Sequence, residues 1–263
     1  MPVTLAHPAA VLPLRGLGLP LSAMVIGSMA PDLPVFSQSW GIYEFTHSLV
    51  GLVTIDLAIT LLLLGFWDRW GRDALVDTAP SWVRNRMPGR VRIGRTAWLL
   101  APLGAVLGSA THVLWDAFTH AGRWGVQAIP WLHETHAGMH GSQWAQFASG
   151  ILGLLVVGAA ILAVVQGPVL PDTPRPRRLP GVVLPAAFAI ASLVSVGTFL
   201  ARLGTGAHPA AFYAAVAGIV GLGIAVGTVT VAWVWAQPVN PPVSAPDAPA
   251  VPPAPSSTTP ASP

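Results

Sequence analysis

The sequence predicts an all-α fold: a polytopic helical membrane bundle of about five transmembrane helices with an extra N-terminal helical segment. Three observations predict it. Apolar residues make up 53% of the 263, charged residues only 9%, and mean hydropathy is +0.62. A soluble domain carries roughly 25% charged residues, so a water-facing surface cannot be built from this chain but a lipid-facing one can. Five runs are long and apolar enough to cross a hydrocarbon core about 30 Å thick, which takes roughly 20 residues at 1.5 Å each. The arginines fall in alternate connections between those runs.

Residues 1–46 come first, as an N-terminal helical segment. Its apolar stretch Leu17–Ala30 is too short for a span and fits an interfacial, re-entrant or core helix. The same stretch also reads as a secretory signal, with Arg15 as the n-region charge, Leu17–Ile26 as the h-region and Ser28-Met29-Ala30 as an A-x-A-like site. Pro31 directly after that site disfavours cleavage. The membrane core, residues 47–166, then holds spans His47–Phe66, Thr96–Phe118 and Ala145–Gln166. Residues 167–236 hold Gly181–Leu203 and Ala211–Ala236. The last three spans are rich in Gly and Ala, which lets membrane helices approach closely. Gln237–Pro263 contains ten prolines and a single charge, Asp247, and reads as a disordered, polyproline-prone tail.

Charge then orients the bundle. All 13 basic residues are Arg. Seven lie in Trp67–Arg95 and three in Gly167–Pro180. Five spans put those two connections on one side, which the positive-inside rule makes cytoplasmic, together with the tail. A pI of 10.5 suggests nucleic acid, but the net charge is only +3; membrane orientation accounts for the arginines, and no nucleic-acid partner is expected. Cysteine is absent, which excludes disulfides and thiolate metal sites. Walker, G-x-S-x-G and dinucleotide-binding patterns are also absent.

The eight histidines did not enter that orientation, yet all of them fall in the opposite half. In the second span His112, Asp116 and His120 follow at i, i+4 and i+8. Each step of four turns a helix by about 40° and rises about 6 Å. His112 and Asp116 therefore share a face at a spacing suited to two ligands of one metal ion. His120 joins them if the helix persists. Imidazole with carboxylate suits Zn²⁺ or another divalent metal. His47 starts the neighbouring span at the same depth, Asp32 lies in a turn just before it, and His7 can fold back from the N-terminus. Singly, a membrane His or Asp more often just hydrogen-bonds a neighbouring helix. As a set, intramembrane ionisable groups are costly and usually functional. Asp56, nine residues from His47, falls on nearly the opposite face of a continuous helix, as a proton-path residue or as half of a polar pair. His133-Glu134-Thr135-His136 is not HExxH. With His140 it makes either a loop metal tract or an ordinary solvated loop.

Four blocks in combination carry a resemblance: Thr4-Leu5-Ala6-His7-Pro8, Ile26-Gly27-Ser28-Met29-Ala30-Pro31-Asp32, Thr46-His47-Ser48-Leu49 and His112-Val113-Leu114-Trp115-Asp116-Ala117-Phe118-Thr119-His120. Over about residues 2–155 the chain resembles a bacterial polytopic membrane family of unknown function, DUF4184. More distantly it is similar to inner-membrane proteins classed as metal-dependent hydrolases and to the zinc phospholipase C and P1 nuclease group. The resemblance implies His7, Asp32, His47, His112, Asp116 and His120 as metal ligands. That family has a Gln-His-Gly-Ser run before the third span, where this chain has Gln146-Phe147-Ala148-Ser149. One ligand is therefore missing, or His140 replaces it. The expectation is a metal-dependent hydrolase of phosphoester or lipid substrates at the extracytoplasmic face, its partners the lipid bilayer and a phospholipid substrate. The rivals are a proton-coupled carrier built on Asp56 and a non-catalytic structural membrane protein.

Overall fold

The structure, a computed structural model, describes residues 4–171 and 177–236. The Pro-rich stretch Gln237–Pro263 and Arg175 lie outside them. Five helices are long and apolar enough to cross a membrane, and the chain is a multi-pass membrane protein. Before them stands a short apolar helix, α1 (Leu21–Gly27). The long helices are α2 (Leu49–Thr78), α3 (Arg95–Thr119), α4 (Gly141–Val165), α5 (Val183–Arg202) and α6 (Ala207–Trp235). A small hairpin, β1 (Thr135–His136) with β2 (Met139–His140), precedes α4.

The N-terminal segment is part of the core. Ala23, Met24 and Gly27 of α1 are buried against Gly104, Ala105 and Gly108 of α3. Small residues on both sides bring the backbones together, the packing mode that serves where lipid gives helices no hydrophobic incentive to associate. Ser109 Oγ donates to Gly27 O at 3.0 Å across this crossing. Ahead of α1, Ala6 lies on Gly153 of α4, another contact in which a Cβ on the glycine would meet backbone.

Spans three and five begin four residues before the sequence reading, at Gly141 and Ala207, and span one differs most. Span one extends to Thr78, through a π-helical turn at Trp67–Gly71, instead of ending at Phe66. Arg69 and Arg72 are therefore helical. The extension is held by its own aspartates: Asp73 pairs with Arg72 at 3.2 Å and Arg92 at 2.9 Å, and Asp77 pairs with Arg84 at 3.1 Å. Neutralised in this way, the charges no longer force the helix to stop at the apolar edge. The span is also broken near its start. Ser48 caps a new helical turn by accepting from Gly51 N, and Thr54 leaves helical geometry at φ −120° and ψ −87°.

The two arginine-bearing connections meet at one end of the bundle. Leu170 N donates to Asn85 O at 2.9 Å, and Arg86 Nε donates to Gly167 O at 3.0 Å. Asp77 accepts from Arg178 N and from Trp233 Nε1, which draws the end of α6 into the same knot. The opposite end receives residues 4–48, the α3–α4 connection and the start of α6.

Candidate metal centre

The site lies at that opposite end, where the start of α2, the last turns of α3 and the N-terminal segment meet. His112 and Asp116 sit one turn apart on α3 and are 0% and 2% exposed. Asp32 closes the short helical turn Ala30–Asp32, and His47 caps the helix Trp40–Thr46. Thr46 ties those two pieces together by donating its hydroxyl to Pro31 O at 2.9 Å.

Four atoms face one another: Asp32 Oδ1, His47 Nε2, His112 Nε2 and Asp116 Oδ2. His112 Nε2 is 3.5 Å from Asp32 Oδ1 and 3.4 Å from Asp116 Oδ2. His47 Nε2 is 3.9 Å and 3.4 Å from the same two oxygens. The four residues form the one buried group among the described residues whose ligand atoms all lie within 4.8 Å of one another.

The hydrogen-bond pattern assigns the tautomers. Each of these two imidazoles presents Nδ1 to a backbone carbonyl at 2.8 Å, His112 to Ser28 O and His47 to Tyr43 O. A carbonyl only accepts, so Nδ1 carries the hydrogen, and in the neutral ring Nε2 is left with a lone pair. Lone pairs then point at carboxylate oxygens, and all four atoms are buried without a hydrogen-bond partner. Charge-assisted bonds would draw in to roughly 2.7–2.9 Å, and these distances are longer. Zn–N and Zn–O bonds of about 2.0–2.2 Å in a tetrahedron put neighbouring ligand atoms about 3.3–3.6 Å apart. Three of the four separations fall in that range. The residues therefore fit a divalent cation, and carbonyl anchoring of the far imidazole nitrogen is how metal-bound histidines are usually oriented.

His7 and His120 gather at the other oxygen of Asp116. His7 Nε2 is 3.7 Å from Oδ1, and its ring stacks on His112 with centroids 3.8 Å apart. Burial, and then the neighbouring His112, lower the His7 pKa to about 3, so this ring is neutral near pH 7. His120 Nδ1 is 3.2 Å from Oδ1, and its Nε2 accepts from the Gln146 side-chain amide at 2.8 Å. The α3 helix ends at Thr119, and His120 reaches Asp116 because its backbone N–H still donates to Asp116 O at 3.0 Å. All six predicted ligands are thus brought together, four around one point and two beside Asp116.

Other predicted features stay outside. Asp56 is fully buried on α2, and neither of its carboxylate oxygens meets a hydrogen-bond donor. The breaks at Ser48 and Thr54 separate its helical stretch from His47. His133 and His140 are exposed and His136 half-buried, and they bond backbone carbonyls of the turn before the hairpin: Pro130 O, Trp131 O and His133 O, in the order His133, His136, His140. Phe147 packs against His208, so the position where a histidine is missing faces away from the cluster. Its neighbour Gln146 is the residue that reaches it.

Three contributors were not legible. Thr4 Oγ1 donates to Asp32 Oδ2 at 2.5 Å. The carbonyls of Ser28 and Tyr43 orient the two histidines. A lone Thr near a terminus and a main-chain carbonyl leave no pattern in a sequence. Burial, followed by the charges of Asp116 and Asp32, pushes the Tyr43 phenol above its ordinary range, so it stays protonated beside His47. Asp32 shows the reverse balance: burial raises its carboxyl, but the adjacent His112, when it is protonated, holds it below the usual carboxylate range.

The sequence profile described as "Domain of unknown function (DUF4184)" matches residues 1–233. No curated protein and no solved structure matches the chain.

Proposed function

The chain belongs to the DUF4184 family, a domain of unknown function, and we propose that it is a metal-dependent hydrolase of phosphoesters, with its centre at the extracytoplasmic face. The observation that carries this reading is the set of four buried, unpartnered ligand atoms that all lie within 4.8 Å of one another. Asp32, His47, His112 and Asp116 hold a Zn²⁺-like ion. Such an ion supplies Lewis acidity toward a phosphoryl oxygen and a nucleophile at neutral pH.

The chain's own groups do the rest. Ser28 O and Tyr43 O fix the ligand imidazoles, and Thr4 fixes Asp32. His120 is the one member of the six whose side chain is substantially exposed, at 22%. It opens on a narrow crevice lined by His7, Trp115, Thr119 and Gln146. With Nδ1 on Asp116 and Nε2 on Gln146, it orients the Asp116 carboxylate from the crevice side of the site. The arginine-rich end is cytoplasmic by the positive-inside rule. The bilayer surrounds the helices, and a phospholipid is the substrate class we favour.

The test is metal analysis of the purified full chain, followed by hydrolysis of bis(p-nitrophenyl) phosphate. Wild type binds stoichiometric zinc and turns the diester over, and the His112→Ala/Asp116→Ala variant does neither. Zinc-free wild type in zinc-supplemented buffer sinks the reading. Asp56 supports a second one. A fully buried carboxylate without a hydrogen-bond donor in a span is costly and often lies on an ion or proton path. A proton-coupled carrier predicts that Asp56→Asn abolishes substrate-driven proton flux into vesicles and leaves metal content unchanged.

A further inference from the structure

An apolar cavity of about 510 Å³ opens between α4, α5 and α6, within the usual range for small-molecule sites of about 300–1,000 Å³. Its walls include Leu154, Phe188, Val196 and Phe212. Two of its three hydroxyls are already engaged, Ser195 on Ala214 O and Thr4 on Asp32. The cavity therefore has little to offer a polar guest. Phe188 and Val196 are 50% and 55% exposed at its mouth, on a helix long and apolar enough to span the membrane. What lies outside that mouth is hydrocarbon.

The cavity and the crevice at the metal centre are lined by neighbouring residues of the same segments. Thr4 and Leu5 face the cavity while Ala6 and His7 line the crevice, so one short segment separates the two. Phe36, another wall residue, follows Asp32 by four positions. Along α4, Gln146 and Gly150 line the crevice and Leu154 lines the cavity. Four residues of helix rise about 6 Å. The polar crevice thus lies near the start of α4 and the apolar cavity one turn deeper toward mid-span. An amphiphile standing in one leaflet has that order: head at the surface, chain below.

We propose that this cavity is the acyl-chain site for a phospholipid whose headgroup sits at the mouth of the crevice beside the metal centre; this rests on the hydrolase reading and names its substrate class. The experiment uses the full chain in nanodiscs containing a phospholipid with a diazirine midway along one acyl chain. After photolysis, peptides are mapped by mass spectrometry. The expected label concentrates on cavity-facing positions of α5 and α6, above that on exposed lipid-facing residues such as Leu193 and Ile224. Filling the cavity with Ala215→Trp, or with Ser192→Phe should the first variant misfold, removes that excess and leaves bound zinc unchanged. Uniform labelling of all lipid-facing residues overturns the proposal, as does an excess that survives both fillings. Neither readout needs turnover. A zinc-free protein that still concentrates label refutes the hydrolase reading and keeps a lipid site. A zinc-loaded protein with uniform label refutes the chain site alone.

Discussion

Gly108→Ala tests whether the helix crossing builds the metal centre. Alanine is the better helix former by about 1 kcal/mol, so on propensity alone the substitution stabilises α3. The crossing opposes it. A Cβ at Gly108 would stand 2.9 Å from Ser28 N and nearer still to Met24 O. Both are backbone atoms, so no side chain can swing aside, and comfortable contact needs about 3.5 Å or more. The end of α1 must retreat by roughly 1 Å to clear both atoms. The bond from His112 Nδ1 to Ser28 O is 2.8 Å and would lengthen past useful geometry. Losing such a support to a metal-bound histidine typically costs 10–100-fold in affinity, and overpacking a core costs about 1–3 kcal/mol. Zinc competition titrations against a fluorescent chelator, with thermal unfolding of the full chain in detergent, read both effects. Gly197→Ala is the control, since a Cβ there meets nothing within 4 Å. A Gly108→Ala protein with wild-type zinc affinity would show that the crossing does not position His112.

Three further outcomes are expected. Thr4→Val keeps the shape and removes the hydroxyl that donates to Asp32; a hydrogen bond to a charged group contributes about 1.5–3 kcal/mol, so zinc affinity by the same titration falls by roughly 10-fold or more. Zinc dissociates on acidification from pH ~7.5 to ~5, because protons compete for imidazole nitrogens that must be neutral to ligate; Asp32, held below the usual carboxylate range, is not the group that protonates there, and retention of zinc at the lower pH would contradict imidazole ligation. Asp77→Ala strips the acceptor shared by Arg84, Arg178 and Trp233; it lowers stability by about 2 kcal/mol or more, seen in thermal unfolding, with no change in bound zinc because the knot lies at the other end of the bundle.

Much of the architecture could be read from hydropathy, since apolar runs of membrane length have few alternatives. The site was legible where local geometry suffices. His112 and Asp116 share a face because a helix turns as it does, and residues between them cannot alter that. The convergence of His7, Asp32 and His47 on that pair depends on contacts between distant segments: Thr46 on Pro31, Ser28 on His112 and Ala6 on Gly153. No periodicity encodes these. The breaks at Ser48 and Thr54 are likewise set by local capping and backbone geometry that hydropathy does not register. The first span runs past the charge that marks its apolar edge, because Asp73 and Asp77 neutralise arginines there and let the helix continue. Phe147 looked like a damaged ligand position, but it faces His208, and Gln146 one residue earlier meets the cluster.

The close seating of α1 on α3 has a consequence for how the protein is made. Chains leave the ribosome N-terminus first. Ser28 therefore emerges 84 residues before the histidine it supports, and Ala6 well over a hundred before Gly153. Backbone that is not continuous helix is tolerated at membrane depth only where protein covers it. Residues 4–48 must then wait at the surface while α2, α3 and α4 are threaded, and dock once their grooves exist. Biogenesis runs opposite to reading order: a segment synthesised before the spans is among the last to settle, and the four ligands meet only when it does.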